Sequence, residues 1–257
     1  MNFLVNLSNR RRETISKEEF LEDYYVKNIP VILTGMTHSW PALSLWTPEY
    51  VVSKYGGIEV EVQADRNSDR LYEINLDSHR KRVLMSDYIN TITNGNTTND
   101  YYMVANNGNL SKTELKSLLD DIEFPDYLDG TDTDGKAFFW LGPAGTITPL
   151  HHDPTNLIFA QIYGRKTWKI IPPYYTHLLY NYTGVFSEVD YENPDYQKYP
   201  LFRDIPTLEV TLDPGDAIFM PVGWWHHVKS LDVSISMSFT NFVFPNRFHW
   251  NYPEIKR

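Results

Sequence analysis

The spacing of apolar residues divides the chain into two parts that predict different structures. Before about residue 136, short helical faces alternate with isolated strands, which predicts a mixed α and β region. After that point, short runs of β-branched and aromatic residues are separated by Gly, Pro and Asp, which predicts a sheet. The predicted strands are Ala137–Leu141, Thr146–His152, Leu157–Tyr163, Thr167–Ile171, Thr207–Leu212, Ala217–Pro221, His227–Ser230 and Ser234–Phe242. Eight short strands of this kind predict a mainly β jelly roll, or cupin barrel.

The first part carries signals for helix starts. Ser16 and Glu19 form a capping box, in which each side chain can satisfy the backbone amide of the other. Thr47 and Pro48 are typical of the first turn of a second helix. The remaining elements predicted are a helix over Ser86–Ile92 and strands over Pro30–Leu33 and Ile58–Val62. We therefore expect an N-terminal α/β elaboration with flanking helices beside the jelly roll.

The chain length favours a single domain, because all-β barrels often reach this size as one unit. The chain has 257 residues, all of which we assign to that domain. Its expected parts are an N-terminal elaboration over 1–135, a jelly-roll core over 136–245 with an insert at 174–206, and a short C-terminal tail over 246–257.

Composition removes several classes of function. With no cysteine, the chain has no disulfide, thiolate nucleophile or cysteine-ligated metal site. The formal net charge is −10 and basic runs are short, so nucleic acid is not an expected partner. No apolar stretch near the N-terminus is long enough for a signal peptide or a membrane span. We expect a cytoplasmic protein without membrane contact, and the sequence leaves its oligomeric state open.

The insert at 174–206 is too long for a simple turn. A long connection in a compact domain either packs against the domain or serves a site. Its tyrosines are Tyr174, Tyr175, Tyr180, Tyr182, Tyr191, Tyr196 and Tyr199. We expect part of the insert to wall the entrance to a functional site, near the candidate metal ligands His151, Asp153 and His226 described next, and the alternative is that it only covers one end of the barrel.

Candidate metal ligands occur in two segments. In the segment Thr148–Asp153, alternation along a strand puts His151 and Asp153 on one face and His152 on the other. A third ligand, His226, follows a tight turn, a buried strand and two tryptophans. Two histidines and one carboxylate leave coordination positions open, as in the facial triad of non-haem Fe(II) oxygenases. A structural zinc site is more often closed by four protein ligands.

These motifs together resemble the cupin-like JmjC hydroxylases, a family that includes the asparaginyl hydroxylase called factor inhibiting HIF. An isolated His-x-Asp motif is weak, whereas the combination with the later Lys and Trp-Trp-His motifs is highly specific. The resemblance covers roughly residues 135–245 and continues more weakly upstream. The matching stretches are Thr148–Asp153, Ala160–Trp168, Val189–Pro200 and Pro214–His227, with Pro30–Gly35 and Ser39–Ala42 upstream.

The resemblance implies a role for each matching residue. His151, Asp153 and His226 would bind Fe(II). Lys166 would bind the distal carboxylate of the cosubstrate 2-oxoglutarate, and Thr148 would donate a hydrogen bond to it. Tyr102 is a candidate for a further donor.

Two positions depart from the family pattern. Relatives commonly carry Asn at the position of Leu157, whereas here the Asn is one residue earlier, at Asn156. Relatives often read Asn-Phe-Trp where this chain has Ser238-Phe-Thr. Both positions lie near the 1-carboxylate of 2-oxoglutarate in relatives, so Asn156 and Ser238 are the candidates for binding that end.

The function implied by the resemblance is that of a dioxygenase using Fe(II), 2-oxoglutarate and O₂. The closest motif match favours hydroxylation of an amino-acid side chain in a protein or peptide. Alternatives are a small-molecule hydroxylase and an N-methyl-lysine demethylase, because demethylation proceeds through the same hydroxylation step. A non-catalytic, metal-binding cupin adaptor is the alternative from another class.

Overall fold

A computed structural model describes residues 10–111, 113–181 and 183–248, so Tyr182 and the tail from 249 to 257 lie outside the described residues. The helices are α1 (Lys17–Glu19), α2 (Pro41–Leu45), α3 (Pro48–Tyr55), α4 (Met85–Asn94) and α5 (Thr113–Lys116). The strands are β1 (Arg11–Arg12), β2 (Val31–Leu33), β3 (Glu59–Gln63), β4 (Arg80–Leu84), β5 (Ala137–Gly142), β6 (Ile147–His152), β7 (Leu157–Tyr163), β8 (Lys166–Ile171), β9 (Leu208–Leu212), β10 (Ala217–Met220), β11 (Trp225–Ser230) and β12 (Ser234–Phe239).

The last eight strands form the two facing sheets of a jelly roll, which confirms the predicted fold class. One sheet has the order β10-β7-β12-β5, and the other has the order β6-β11-β8-β9. Successive strands therefore alternate between the sheets, except β8 and β9, which pair in the second sheet. In the first sheet, β2 and β1 extend the edge beyond β10.

The N-terminal elaboration contains the expected elements and some that the pattern missed. The Ser16 hydroxyl accepts a hydrogen bond from the Glu19 amide at 3.1 Å, and Thr47 caps α3 through the Tyr50 amide. Strands β3 and β4 form a separate two-stranded sheet. Sequence analysis did not predict β4. Its basic residues are exposed, and two of them form ion pairs with the neighbouring strand, Arg80 with Glu61 and Arg82 with Glu59. None of the described helices is long and apolar enough to span a membrane.

Three apolar clusters pack against the faces of the two sheets. The largest lies between the first sheet and the N-terminal helices, around Phe20, Trp46 and Phe239. A second lies between the two sheets, around Trp168 and Ile218. The third covers the outer face of β6, β8 and β11, where residues of the insert contribute Leu179, Val189, Tyr199 and Phe202. The insert therefore packs mainly on the face of the second sheet that points away from the barrel interior.

Candidate metal centre and cosubstrate cavity

Three side chains from two adjacent strands converge at the mouth of the barrel. His151 and Asp153 lie at the end of β6, and His226 lies on β11 directly opposite His151. The Nε2 atom of His226 is 3.5 Å from one Asp153 oxygen, and that of His151 is 3.9 Å from the other. All three ligand atoms lie within 4.8 Å of one another. This donor set fits a divalent cation with open coordination positions, such as Fe(II).

An irregularity in β6 brings a fourth predicted residue onto the same face. The register shifts between the pairs His226–His151 and Val228–Thr148, so two residues of β6 lie opposite one residue of β11. Such a bulge reverses the usual alternation. As a result Thr148 and His151 both face the cavity although they are three residues apart. Pro149 lies within the bulge and has no amide hydrogen to leave unpaired.

Backbone carbonyls orient both histidine rings. The Nδ1 atom of His151 lies 2.8 Å from the carbonyl oxygen of Pro149, and that of His226 lies 3.1 Å from that of Trp224. A ring that donates from Nδ1 presents the lone pair of Nε2, which is the form that binds a metal. The strand geometry therefore sets the tautomer as well as the position.

Desolvation alters the charge state of these groups in the metal-free protein. Burial raises the pKa of Asp153, although His151 opposes the shift. Burial, reinforced by the charge of His151, lowers the pKa of His226 well below its usual value. The imidazole of His226 is therefore neutral near pH 7, and a bound cation would favour the ionised form of Asp153.

The three ligands open into a cavity of about 430 Å³ between the sheets. Its wall is mostly apolar and aromatic, with a few polar groups, as is usual for small-molecule sites. The lining includes Glu73, Leu76, Tyr102, Phe138, Trp140, Thr148, Leu157, Phe159, Trp168, Phe186, Ser238 and Thr240. Three of the five predicted cosubstrate residues, Tyr102, Thr148 and Ser238, are among them.

Lys166 is a buried cation beside this cavity. Its side chain is about 1% exposed, and Nζ donates a hydrogen bond to the Tyr102 hydroxyl at 2.7 Å. Burial lowers the pKa of Lys166 to about 7. No carboxylate of the described residues forms an ion pair with it. An ammonium group without a counter-ion fits an anionic ligand, because a carboxylate would offset the cost of burying the charge.

A tight hairpin places Lys166 at the first position of β8. Gly164 has φ +66°, and a side chain there would lie 2.1 Å from the carbonyl oxygen of Val233. Only glycine accommodates both the left-handed backbone and this close approach. From Lys166 onwards, alternate residues of β8 point inward, which brings Trp168 against the His226 ring at a centroid distance of 5.4 Å.

The two candidates for the 1-carboxylate end have different surroundings. The Ser238 hydroxyl accepts a hydrogen bond from Trp140 Nε1 at 2.8 Å, so its own hydrogen is available to a ligand in the cavity. Asn156 is not among the cavity-lining residues, and Leu157 occupies the wall instead. The Asn156 side chain accepts a hydrogen bond from the Val222 amide at 2.7 Å, and its backbone bonds to Asn246. The structure therefore places Asn156 in the loop packing behind the wall.

The residues beside the ligands face the other way, as alternation predicts. The His152 ring packs against Trp225, and the His227 ring stacks on Tyr191 of the insert. The insert reaches the metal side through Val185 and Phe186, whose ring centroid lies 5.6 Å from that of His151. The expected wall near the metal is thus formed by Phe186, whereas the insert tyrosines in the described part pack in the outer apolar cluster or lie exposed.

Sequence analysis missed a buried polar pair at the cavity wall. Glu73 lines the cavity and forms an ion pair with Arg66, which is about 1% exposed. Both lie in an irregular segment of 3-10 turns with neither strand nor helix periodicity. No pattern in the sequence marks them, because only the fold of the N-terminal elaboration brings them to the barrel mouth.

Comparison with known proteins agrees with this geometry. Residues 16–244 match the family described as Cupin-like domain. The chain is 32% identical over 236 residues to lysine-specific demethylase JMJ30 of Arabidopsis thaliana, covering 89% of this chain and 53% of that protein. It is 33% identical over 241 residues to lysine-specific demethylase 8 of Xenopus tropicalis, covering 87% and 50%. Jumonji C domain-containing protein 5 of Drosophila melanogaster is 29% identical over 239 residues, covering 87% and 57%. The chain thus spans about half the length of these relatives.

Proposed function

The chain belongs to the cupin-like JmjC-domain family, and on that premise we propose that it is a 2-oxoglutarate-dependent oxygenase acting on a side chain of a protein or peptide. The cofactors of this family are Fe(II), 2-oxoglutarate and O₂. The observation that carries the proposal is a cavity lined by a convergent His-Asp-His set, with a buried lysine behind its wall that has no carboxylate partner among the described residues and donates to the cavity-lining Tyr102.

Each group of the cavity has a distinct task in this proposal. His151, Asp153 and His226 would hold Fe(II). Lys166, together with the hydroxyls of Tyr102 and Thr148, would bind the distal carboxylate of 2-oxoglutarate. The bound iron and cosubstrate supply the oxidation, in which O₂ delivers one oxygen atom to a substrate C–H bond and the other to succinate, with release of CO₂.

The wall around these groups controls what reaches the metal. Phe159, Trp168 and Trp140 give the cavity an aromatic wall, which would limit the access of water to the bound cosubstrate. Ser238, held by Trp140, is positioned to donate to the chelating end of the cosubstrate. This arrangement would replace the family Asn at the position that Leu157 occupies here.

The names of the relatives favour demethylation of N-methyl-lysine over stable hydroxylation. In demethylation the hydroxylated methyl group leaves as formaldehyde, whereas in hydroxylation the oxygen stays on the substrate. Both outcomes begin with the same C–H oxidation. Side-chain hydroxylation, which the similarity to factor inhibiting HIF suggested, is therefore the second candidate for the same site.

Two further alternatives are less well supported. A non-catalytic adaptor would not need the ligand set and a buried lysine beside the same cavity. A small-molecule hydroxylase would share the site, and only the substrate separates it from the proposal.

A mass-spectrometric assay tests the function and separates its outcomes. The protein, Fe(II), ascorbate and 2-oxoglutarate are incubated with a degenerate peptide library containing N-methylated lysines. We expect succinate, together with either formaldehyde and peptides lighter by one methylene group, or peptides heavier by one oxygen atom. Asp153→Ala serves as the control. Succinate formation undiminished in that variant, or absent from the wild type, would contradict the proposal.

A further inference from the structure

Glu73, the partner of Arg66 in a buried ion pair, lines the same cavity as the metal ligands. The guanidinium Nη2 lies 2.7 Å from Glu73 Oε1, and the two side chains are about 1% and 10% exposed. Burying both charges is expensive unless the pair is well satisfied. The hydrogen-bond partners of Arg66 and of Glu73 therefore indicate the role of the ion pair.

The donors of Arg66 are directed away from the iron cavity. Nη1 donates to the backbone carbonyl and the side chain of Asn99, and Nη2 also donates to the carbonyl of Ile147. The guanidinium lies 4.2 Å from the ring centroid of Tyr72 and lines a separate groove outside the barrel. Arg66 is thus bound by several acceptors besides Glu73 and is held in place by the chain around it.

Only one of the two carboxylate oxygens of Glu73 takes part in this ion pair. Its Oε1 atom accepts from Arg66, whereas Oε2 accepts no hydrogen bond from the described residues. Glu73 lines the iron cavity, where the acidic wall residues are Glu73 and the metal ligand Asp153. No lysine or arginine of the described residues lines that cavity. The ion pair therefore presents its negative end to the space where the substrate side chain would enter.

We propose that Glu73 determines substrate specificity by binding the cationic nitrogen of a lysine, methyl-lysine or arginine side chain. This inference rests on the proposed function and names the substrate class for the same site. A carboxylate oxygen without a partner gives a charge-assisted contact to an ammonium or guanidinium group. The aromatic rings of Phe138 and Phe186, which line the same cavity, would add favourable contact with a cation.

A purely structural role for Glu73 makes a different prediction. If it served only as the counter-ion of Arg66, its loss would lower stability without changing which side chain binds. Glu73→Gln keeps the size and an oxygen for Arg66 but removes the charge. Glu188→Gln, on an exposed residue that lines the outer groove, removes the same charge away from the cavity and is the matched control.

Binding to peptide pools with a fixed central residue tests the proposal. The pools carry arginine, lysine, dimethyl-lysine, asparagine or the neutral arginine isostere citrulline at the centre, with degenerate flanks. Affinity is measured for protein loaded with Zn(II) and N-oxalylglycine, so no turnover is needed. We expect the wild type and Glu188→Gln to bind at least one cationic pool about tenfold more tightly than the citrulline pool. The pool bound most tightly distinguishes lysine, methyl-lysine and arginine.

Glu73→Gln should lose that preference, and its thermal midpoint verifies that it is folded. If Glu73→Gln fails to fold, Glu73→Asp keeps a charge beside Arg66 and should retain a reduced preference. A wild type that binds citrulline or asparagine pools as tightly as cationic pools would overturn the proposal, as would an unchanged preference in Glu73→Gln. A cationic preference without any succinate formation would instead contradict the proposed function and leave the role of Glu73 supported.

Discussion

Adjacent residues of β11 place two histidines in environments that look alike at first. His226 points into the barrel and His227 points to the outer face, and each is about 2% exposed. Each has a carboxylate oxygen near Nε2, from Asp153 at 3.5 Å and from Glu192 at 3.6 Å. Burial lowers the pKa of both, to about 4 for His227. A buried histidine beside a carboxylate therefore occurs on both faces of one strand.

The difference lies in what else surrounds each carboxylate. Glu192 accepts a hydrogen bond from Lys229 and lies 3.9 Å from Lys169, so two ammonium groups already neutralise it. Asp153 has ion-pair contacts only with His151 and His226 among the described residues. A metal centre thus needs a second histidine and no competing cation, and the comparison shows that burial with one acidic neighbour is not sufficient.

Removing a histidine from each face gives the largest expected contrast. His226→Ala takes one of three protein ligands from the metal, and we expect its affinity to fall by more than the roughly 10–100-fold typical of losing an outer partner of a ligand. His227→Ala should keep most of the affinity. Anaerobic calorimetric titration with Fe(II) measures both. Equal losses in the two variants would show that the outer face supports the metal and would break the comparison.

The two lysines of β8 extend the same comparison to the cosubstrate. Lys166 points inward and Lys169 outward. Lys166→Ala removes the cation that would pair with a buried carboxylate, which costs on the order of 2–5 kcal/mol, or roughly 30-fold to over 1000-fold in the dissociation constant for 2-oxoglutarate. Lys169→Ala should leave that constant within about twofold. An unchanged constant in Lys166→Ala would remove Lys166 from the site, provided that Fe(II) still binds.

The inner face could be predicted from the sequence to a large extent. Strand alternation predicted that His151 and Asp153 share a face, and the motif order added His226 as the third candidate ligand. The role of Lys166 followed from the resemblance. Thr148 likewise followed from the resemblance. Its inward position depends on the bulge at Pro149, which alternation does not predict.

The rest of the site depends on contacts distant in sequence. Glu73 reaches the cavity through the irregular turns before β4, and Phe186 reaches it through an insert that has no periodicity. Asn156 was predicted to reach the cavity and does not. It stands one residue before the position at which relatives carry Asn, so its side chain packs in the loop and Leu157 lines the wall. Local patterns thus predict strands and the ligands they carry, whereas the walls between them are set by tertiary packing.

On the inner face, a smaller effect than that of Lys166→Ala is expected when the affinity for 2-oxoglutarate is measured as a function of pH. Burial lowers the pKa of Lys166 to about 7, far below its usual value, so the amine loses its proton as the pH rises through that value. Binding of a carboxylate above it requires proton uptake, which weakens the affinity by roughly tenfold per pH unit. Titrations of 2-oxoglutarate with Mn(II)-loaded protein from about pH 7 to about pH 9 test this. A flat profile would contradict it, and Lys166→Ala should lack the dependence.

The smallest effect is expected on the outer face of β11, where Glu192 pairs with cationic side chains and no metal is expected to bind. Burial raises the pKa of Glu192, but the hydrogen bond from Lys229 and the neighbouring charges outweigh it and leave the pKa below its usual value. The carboxylate therefore contributes stability above its ordinary pKa of about 4.3, and that contribution is lost as the pH falls through the lowered value in the folded protein.

Because the ion pair of Glu192 with Lys229 is partly exposed, Glu192→Gln should lower the free energy of unfolding by only about 1 kcal/mol near pH 7, with the difference shrinking in acid. Urea denaturation at several pH values measures it, with Asp232→Asn, which breaks the exposed pair to Arg165, as the control. Iron affinity should be unchanged in both variants. A Glu192→Gln protein of normal stability but weakened metal binding would mean that the two faces of β11 are coupled through His227 and do not act separately.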